Sequence, residues 1–201
     1  MSKRFRGFYP VVIDVETGGF NPTEDALLDV GVIFLTTDHN GQIVKERTLS
    51  LPVTAEPGLN LHAASLNVNK INPKDPNRTS FKEDVVITTL FKELRESMKE
   101  HDCRRAVLVG HNAFFDHQFI FAAAERQKVK RNPLHPFSCL DTVTLSALAC
   151  GHTVLAKACE IANISFDSST AHTALYDAQK TAELFCYIVN RWQHLGGWPI
   201  D

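Results

Sequence analysis

Several features that would place a protein quickly in a class are scarce or missing in this sequence. Its 201 residues include five cysteines, an odd number, and no Cys-x-x-Cys pair. This usage argues against a disulfide framework and a zinc site, and it favours a reducing compartment. No apolar run approaches the roughly 18 residues of a membrane span, and the first eight residues carry no apolar signal segment. We therefore expect a cytoplasmic protein without a membrane partner.

An excess of charge of one sign is missing as well. The formal net charge is −2, with 44% hydrophobic and 22% charged residues. The length predicts one globular domain over residues 1–201, because single domains extend to about 250 residues. Basic residues are nevertheless concentrated in segments 3–6, 99–105 and 126–131. Each cluster alone is typical of a solvated surface, but together they favour a locally basic face.

What the sequence does contain is a β-branched run, residues 11–18, with two carboxylates in it. Side chains alternate across a strand, so Val12, Asp14 and Glu16 share one face. The two carboxylates then lie roughly 7 Å apart along the backbone. The run holds no Lys or Arg to offset them. A hard divalent cation is one explanation, and a solvated strand end is the other.

The pattern of apolar and turn residues predicts an α/β protein. Strands at 11–16, 26–37 and 43–51 are joined by short turns, which predicts an antiparallel meander. The elements predicted after it are a short helix around 63–69, a helix from the Ser80–Glu83 capping box to about residue 101, a strand at 106–110, a helix to about 128, a short strand at 137–140 and helices at 141–149, 154–162 and 172–192.

Three later residues are further candidates for a polar site. Asp116 follows the predicted strand 106–110, where ligands of α/β proteins collect. Its alternative role is a helix-start carboxylate, which the helix dipole favours. His172 and Asp177 are five residues apart, which is not one face of a regular helix. We therefore place His172 on a loop end and Asp177 on the last helix; alone, His172 is typical of a surface histidine.

Three motifs combine these candidates in one order: Asp14-x-Glu16-Thr17, His111-Asn112-Ala113-x-Phe115-Asp116 and His172-x-x-x-x-Asp177. In order and spacing they resemble the DEDDh family of 3′–5′ exonucleases. The resemblance extends over nearly the whole chain. It is carried by three further segments that are similar to family members which trim RNA: 4–10, 131–137 and 190–199. The resemblance implies a ribonuclease H-like fold, a mixed five-stranded sheet with helices on both faces.

The resemblance also implies a site for two Mg²⁺ ions, with Mn²⁺ as a substitute. The implied metal ligands are Asp14, Glu16, Asp116 and Asp177, and His172 is the implied general base. Two such ions stabilise the attacking and leaving oxygens of an in-line displacement at phosphorus. A histidine with an ordinary pKa near 6.5 can take a proton from the attacking water at neutral pH. Asn112 and Asp141 are implied as residues that support these ligands.

Substrate-binding residues follow from the same resemblance. Phe20, Phe115 and Phe137 match phenylalanines that stack on terminal bases. Ala64 and Val68 stand where these exonucleases carry a glutamate and a further phenylalanine, so we expect a weaker discrimination against a 3′-terminal cytosine than is usual among them. The implied basic patch for nucleic acid comprises Arg4, Arg6, Lys99, Arg105, Lys128, Lys130 and Arg131.

The predicted activity is that of a 3′–5′ exoribonuclease which trims tRNA and other small stable RNAs and also degrades single-stranded DNA. The resemblance implies a homodimer in which the basic patch of one subunit serves the site of the other. One alternative is a DNA proofreading exonuclease. The other is a non-enzymatic single-strand-binding module, which would be expected to lack at least one metal ligand.

Overall fold

Five strands form one mixed sheet at the centre of the protein, in a computed structural model that describes residues 1–197. They are β1 (Phe8–Thr17), β2 (Leu27–Thr37), β3 (Ile43–Pro52), β4 (Arg105–Gly110) and β5 (Leu134–Asp141). The order across the sheet is β3-β2-β1-β4-β5. β2 is antiparallel to both of its neighbours, whereas β1, β4 and β5 run parallel to one another. The predicted antiparallel meander is therefore confirmed.

Helices cover the sheet and connect its strands. They are α1 (Ala63–Asn69), α2 (Glu83–Glu100), α3 (Ala113–Arg126), α4 (Thr142–Cys150), α5 (Leu155–Ile161) and α6 (Ala174–His194), with a 3₁₀ helix at Phe5–Gly7. The predicted capping box is wrong. Ser80 Oγ lies 2.8 Å from Thr54 Oγ1, and α2 begins two residues later than that cap would place it, with Lys82 as N-cap and no side-chain cap.

The two faces of β1 contribute to two separate parts of the core. Val11, Ile13 and Val15 pack on one face with residues of α2 and α3. Val12 packs on the other face with Ala178 and further apolar residues of α6. This is the alternation expected of a strand buried on both sides. It also places Asp14 and Glu16 on the face that α6 covers.

One segment corrects the expectation about apolar runs. Thr142–Ile161 spans 20 residues with a mean hydropathy of 1.2, values typical of a membrane-spanning helix. It is broken in two, because α4 ends at Cys150, Gly151 takes a φ of +68°, and α5 begins at Leu155. A span needs about 20 helical residues, and the two helices have nine and seven.

The remaining predictions differ from the structure mainly at element ends. β1 begins at Phe8 and β5 at Leu134, three residues earlier than predicted in each case. Trp198 and Pro199, which belong to the C-terminal matching segment, lie outside the described residues.

Candidate active site

The end of β1 becomes a polar site because its neighbour β4 stops early. The last β1–β4 pair is Val12 with Val109, so the backbone N–H of Val15 has no strand partner on that side. Asp116, in the first turn of α3, accepts this hydrogen bond through Oδ1 at 2.9 Å. Asp116 is buried, with 3% of its surface exposed. The structure thereby fixes one carboxylate between the backbone positions of Asp14 and Glu16.

A glycine lets the fourth carboxylate approach. Gly31 on β2 pairs with Asp14, and a β-carbon at Gly31 would lie 2.3 Å from the backbone of Ala174. Because glycine has none, the start of α6 packs directly on the sheet at this point. Asp177 lies in the first turn of α6. Its carboxylate is therefore delivered to the end of β1.

The predicted residues converge on one cavity of about 420 Å³. Single carboxylate oxygens of Asp14, Glu16 and Asp177 all lie within 4.8 Å of one another. Asp116 and His172 line the same cavity. No lysine or arginine is among its lining residues in the described part of the chain. Oxygen ligands at this spacing are the donor set that a hard divalent cation takes.

The electrostatics of the cavity favour a bound cation. Burial raises the pKa of Asp14 well above its ordinary value, and the charges of Asp116 and Asp177 raise it further. Burial likewise raises the pKa of Asp116. Burial, followed by the charges of Asp177 and Asp29, raises the pKa of Glu16 to about 7. Carboxylates that repel one another in a partly dry site are offset by divalent charge, so the residues present fit a divalent metal centre.

His172 lies on the loop just before α6, as predicted. Its backbone φ is +66°, and its N–H donates to Asp177 Oδ2 at 2.9 Å. The imidazole is exposed and borders the cavity. A histidine is thus held at the mouth of the carboxylate cluster by one of the carboxylates. This arrangement can accept a proton from a water bound in the cavity.

Asp141 and Asn112 support the start of α3. Asp141 Oδ2 accepts the N–H of Ala113 at 2.9 Å, and its Oδ1 accepts the N–H of Val143 at 2.8 Å. One side chain thus caps α4 and holds the first residue of α3. Asn112 is the N-cap of α3 with a φ of +67°. The Asp141 side chain therefore fixes the start of α3 and with it Asp116, whereas Asn112 contributes through its backbone carbonyl, which accepts the N–H of Phe115 at 2.9 Å.

Two residues near the cavity were given no role by the sequence reasoning, although His111 belongs to the second motif. His111 lines it, with Nδ1 2.9 Å from Thr142 Oγ1 and Nε2 2.8 Å from the carbonyl oxygen of Thr153. Asp29 pairs with Glu16 across β1 and β2. The signal for His111 was its place directly after β4. Asp29 could be found only from the strand register.

The three predicted stacking phenylalanines differ in exposure. Phe20 is 84% exposed and Phe137 is 78% exposed, while Phe115 is partly buried. The rings of Phe20 and Phe115 lie 6.2 Å apart, edge to face. Together with Glu16, Ala64 and Val68 they line a second cavity of about 250 Å³ beside the carboxylates. The two departures from the related exonucleases therefore fall in the wall of one aromatic cavity.

The predicted basic residues lie away from the carboxylates. Arg6 and Arg104 flank the ring of Phe8 at the start of β1, at 5.3 and 5.4 Å. Asp14 follows Phe8 by six residues, which is about 20 Å of strand. Arg105 donates to the carbonyl oxygen of Leu134, and Arg4 donates to Gly41 and Gln193. Lys99, Lys128, Lys130 and Arg131 are exposed, Lys99 near the end of α2 and the others just after α3.

Comparison of the sequence with known proteins identifies the family to which the chain is related. A family model described as "Exonuclease" matches residues 11–185. The chain is 54% identical to ribonuclease T of Marinobacter nauticus, over 99% of this chain and 90% of that protein. It is 52% identical to ribonuclease T of Escherichia coli K12, over 98% and 92% of the two chains.

Solved structures agree on the fold. The crystal structure of E. coli exonuclease I with a dT13 oligonucleotide superimposes with a TM-score of 0.69 at 14% identity. The match covers 94% of this chain and 42% of that enzyme. A mixed five-stranded sheet is thus shared with a nuclease of low sequence identity. The family-model match and the high identity to two ribonucleases T go further, and the chain belongs to the ribonuclease T family of 3′–5′ exonucleases.

Proposed function

We propose that the protein trims the 3′ ends of tRNA and other small stable RNAs, and also degrades single-stranded DNA, by metal-dependent hydrolysis that releases 5′-mononucleotides. The observation that carries this proposal is the convergence of Asp14, Glu16, Asp116, Asp177 and His172 on one cavity. Exposed phenylalanines at its rim add a surface for terminal bases. Relatives that share 54% and 52% of their residues with this chain are named ribonuclease T, which favours RNA over DNA as the main substrate.

The proposed cofactor is a pair of Mg²⁺ ions, for which Mn²⁺ can substitute. Asp14, Glu16, Asp116 and Asp177 would hold them, and when bound they supply charge stabilisation to the attacking and leaving oxygens. His172 takes one proton from the attacking water at its imidazole. The water oxygen bonds to phosphorus, the bond from phosphorus to the upstream O3′ breaks, O3′ takes a proton from solvent, and the imidazolium of His172 returns its proton to solvent. The products are a 5′-mononucleotide and a strand shortened by one residue.

The protein's own contacts hold His172 for this step. Asp177 accepts the backbone N–H of His172, so a residue of the carboxylate cluster also fixes the loop that carries the base. Phe20 and Phe115 form an edge-to-face pair beside Glu16. A terminal base stacked there would place its phosphate over the carboxylates. Positioning of this kind is a large part of catalysis in phosphoryl transfer.

The homodimer is also proposed, and the position of the basic residues supports it. The basic patch of this chain begins near Phe8, about 20 Å along β1 from Asp14. A second subunit could bring its own patch to this cavity. Mixing subunits inactivated at Asp14 with subunits inactivated at Lys128, Lys130 and Arg131 would restore activity in a dimer of this kind. Mixtures that stay inactive would argue for independent subunits. Cytoplasmic localisation stays a prediction, supported by the five free cysteines.

The experiment that tests the function uses RNA 20-mers labelled at the 3′ or 5′ end, with Mg²⁺ or Mn²⁺. We expect the 3′ label to be released as a mononucleotide. We expect the 5′-labelled strand to shorten one nucleotide at a time. Asp14→Asn should bind the same RNA without cleaving it. If the wild-type protein binds the RNA tightly but releases no nucleotide with Mg²⁺ or Mn²⁺, the single-strand-binding module is favoured. Faster removal from mismatched DNA primers than from tRNA would favour the proofreading alternative.

A further inference from the structure

Phe114 is an exposed aromatic side chain that the proposed mechanism does not use. It directly precedes Phe115 in the first turn of α3, and 58% of its surface is exposed. Its ring lies parallel to the imidazole of His117, at an interplanar angle of 10° and a centroid distance of 6.1 Å. Large contiguous apolar surfaces mark binding sites, whereas single exposed apolar residues need no explanation, so the surroundings of Phe114 decide its meaning.

Phe114 lies on the floor of a groove of about 490 Å³. The floor is the stripe of α3 at positions 114, 117, 118, 121, 122 and 125, which share one helix face. One wall is formed by Pro22 and Thr23, and the other by Asn132 and Pro136. Pro22 and Thr23 belong to the turn after β1 that carries Phe20, and Pro136 precedes Phe137 on β5. The groove therefore lies next to the surface proposed to hold the terminal base, since Phe114 precedes Phe115 and Pro136 precedes Phe137.

Both walls are fastened to the floor helix. Arg126 of α3 donates to the carbonyl oxygen of Pro22 at 3.4 Å, and it is held by an ion pair with buried Glu83 at 2.7 Å. On the other side, Nε2 of His117 lies 2.9 Å from the carbonyl oxygen of His135. Since a carbonyl oxygen only accepts, His117 carries its proton on Nε2. The groove is a formed feature whose width these two hydrogen bonds set.

The lining of the groove suits a base rather than a phosphate. Aromatic rings of Phe114, His117 and Phe121 lie along the floor, and the centroids of the last two are 4.0 Å apart. Gln118 and Asn132 offer neutral donors and acceptors for a base edge. Among residues 1–197, no lysine or arginine lines the groove, and Glu125 would repel a phosphate.

We propose that this groove is a second base-binding site, in which Phe114 stacks on a nucleobase upstream of the scissile nucleotide. The inference rests on the proposed function, because it places the strand with its 3′ end at the carboxylates. Such a site tightens binding of substrates long enough to reach it and leaves the chemical step alone. Base-on-aromatic stacking is sequence-tolerant, so the site would serve RNA and single-stranded DNA alike.

The test compares substrates with and without upstream bases. The p-nitrophenyl ester of thymidine 5′-monophosphate presents a scissile phosphodiester and no upstream base, whereas a decanucleotide can fill the groove. Phe114→Ala should raise KM for the decanucleotide roughly five- to hundredfold, the usual worth of one stacked base. It should leave kcat, and both constants for the nitrophenyl ester, within twofold. Phe114→Trp should restore the wild-type KM.

Phe81→Ala is the matched control, because Phe81 is 46% exposed and lies outside the groove. Its KM for both substrates should equal that of the wild type. A second readout places 2-aminopurine at successive upstream positions, with Asp14→Asn protein to prevent cleavage. One position should show quenching that Phe114→Ala abolishes.

Different results would refute the second base-binding site and the exonuclease activity. If the wild-type protein cleaves both substrates and Phe114→Ala leaves KM for the decanucleotide and every 2-aminopurine signal unchanged, the second site is wrong and the exonuclease stands. If the wild-type protein cleaves neither substrate with Mg²⁺ or Mn²⁺, the proposed function fails, and the site fails with it.

Discussion

The raised pKa of Glu16 predicts how the stability of the protein changes with pH, and this prediction can be tested without a substrate. Burial and the nearby carboxylates hold this pKa at about 7 in the folded, metal-free protein, against 4.5 for an ordinary glutamate. Between these values the folded state binds the proton that the unfolded chain has lost. The contribution of Glu16 to the free energy of unfolding is therefore fully present below about pH 4 and is lost as pH rises through about 7.

The size of the effect follows from the two pKa values. At 1.36 kcal/mol per pH unit, ionised Glu16 destabilises the metal-free folded protein by about 3 kcal/mol at pH 8 and by about 1 kcal/mol at pH 5. Glu16→Gln keeps the shape of the side chain and removes the charge. Relative to the wild type, we expect the variant to gain about 2 kcal/mol more at pH 8 than at pH 5, which is about 4–8 °C in melting temperature.

The assay is thermal unfolding in EDTA at pH 5 and pH 8, followed by the same scans with saturating Mg²⁺ or Mn²⁺. A cation that binds only the folded state raises its melting temperature, so with metal the wild type should be the more stable of the two proteins. Glu24→Gln, at an exposed position, is the control and should behave as wild type throughout. A Glu16→Gln variant that melts with the wild type at both pH values in EDTA would refute the argument.

Three further predictions concern single side chains. His172→Ala should lower the single-turnover rate roughly 10²–10⁴-fold, the usual worth of a positioned acid–base group; a change within threefold would remove His172 from the mechanism. Gly31→Ala should push the start of α6 off the sheet, costing about 1–3 kcal/mol of stability and most of the activity, and wild-type values in melting and cleavage assays would contradict that packing. Ala64→Glu should place a carboxylate in the wall of the terminal-base cavity and increase the rate ratio of 3′-terminal A over C; an unchanged ratio in matched 20-mers would show that this wall does not read the base.

The sequence predicted the residues of the site better than it predicted what holds them. Strand alternation alone put Asp14 and Glu16 on one face, because the period of a strand is fixed. The five-residue step from His172 to Asp177 was enough to separate a loop from a helix. The approach of α6 at Gly31 could not be predicted, since it depends on tertiary packing between segments more than 140 residues apart.

Other errors have a similar origin in tertiary contacts. Ser80 has the local pattern of a helix cap, but its hydroxyl pairs with Thr54, a residue of another segment. The early start of β5 reflects its pairing with β4, in which Leu134 lies beside Ala106. The groove over α3 has no local signature, because its walls come from the turn after β1 and from segment 132–136, which hydrogen bonds attach to the helix.

The separation of charge along β1 gives the molecule an electrical polarity. Carboxylates cluster at the carboxyl end of the strand, and arginines flank its amino end. Before metal binds, a polyanion is drawn to the arginine end and repelled from the carboxylate end, so its 3′ terminus has no stable place there. Two divalent cations would offset the charge of the four carboxylates and remove this repulsion. The structure therefore favours an ordered encounter, in which metal enters first and the nucleic acid follows, and in which added salt weakens capture of the strand more than it weakens hydrolysis once the strand is bound.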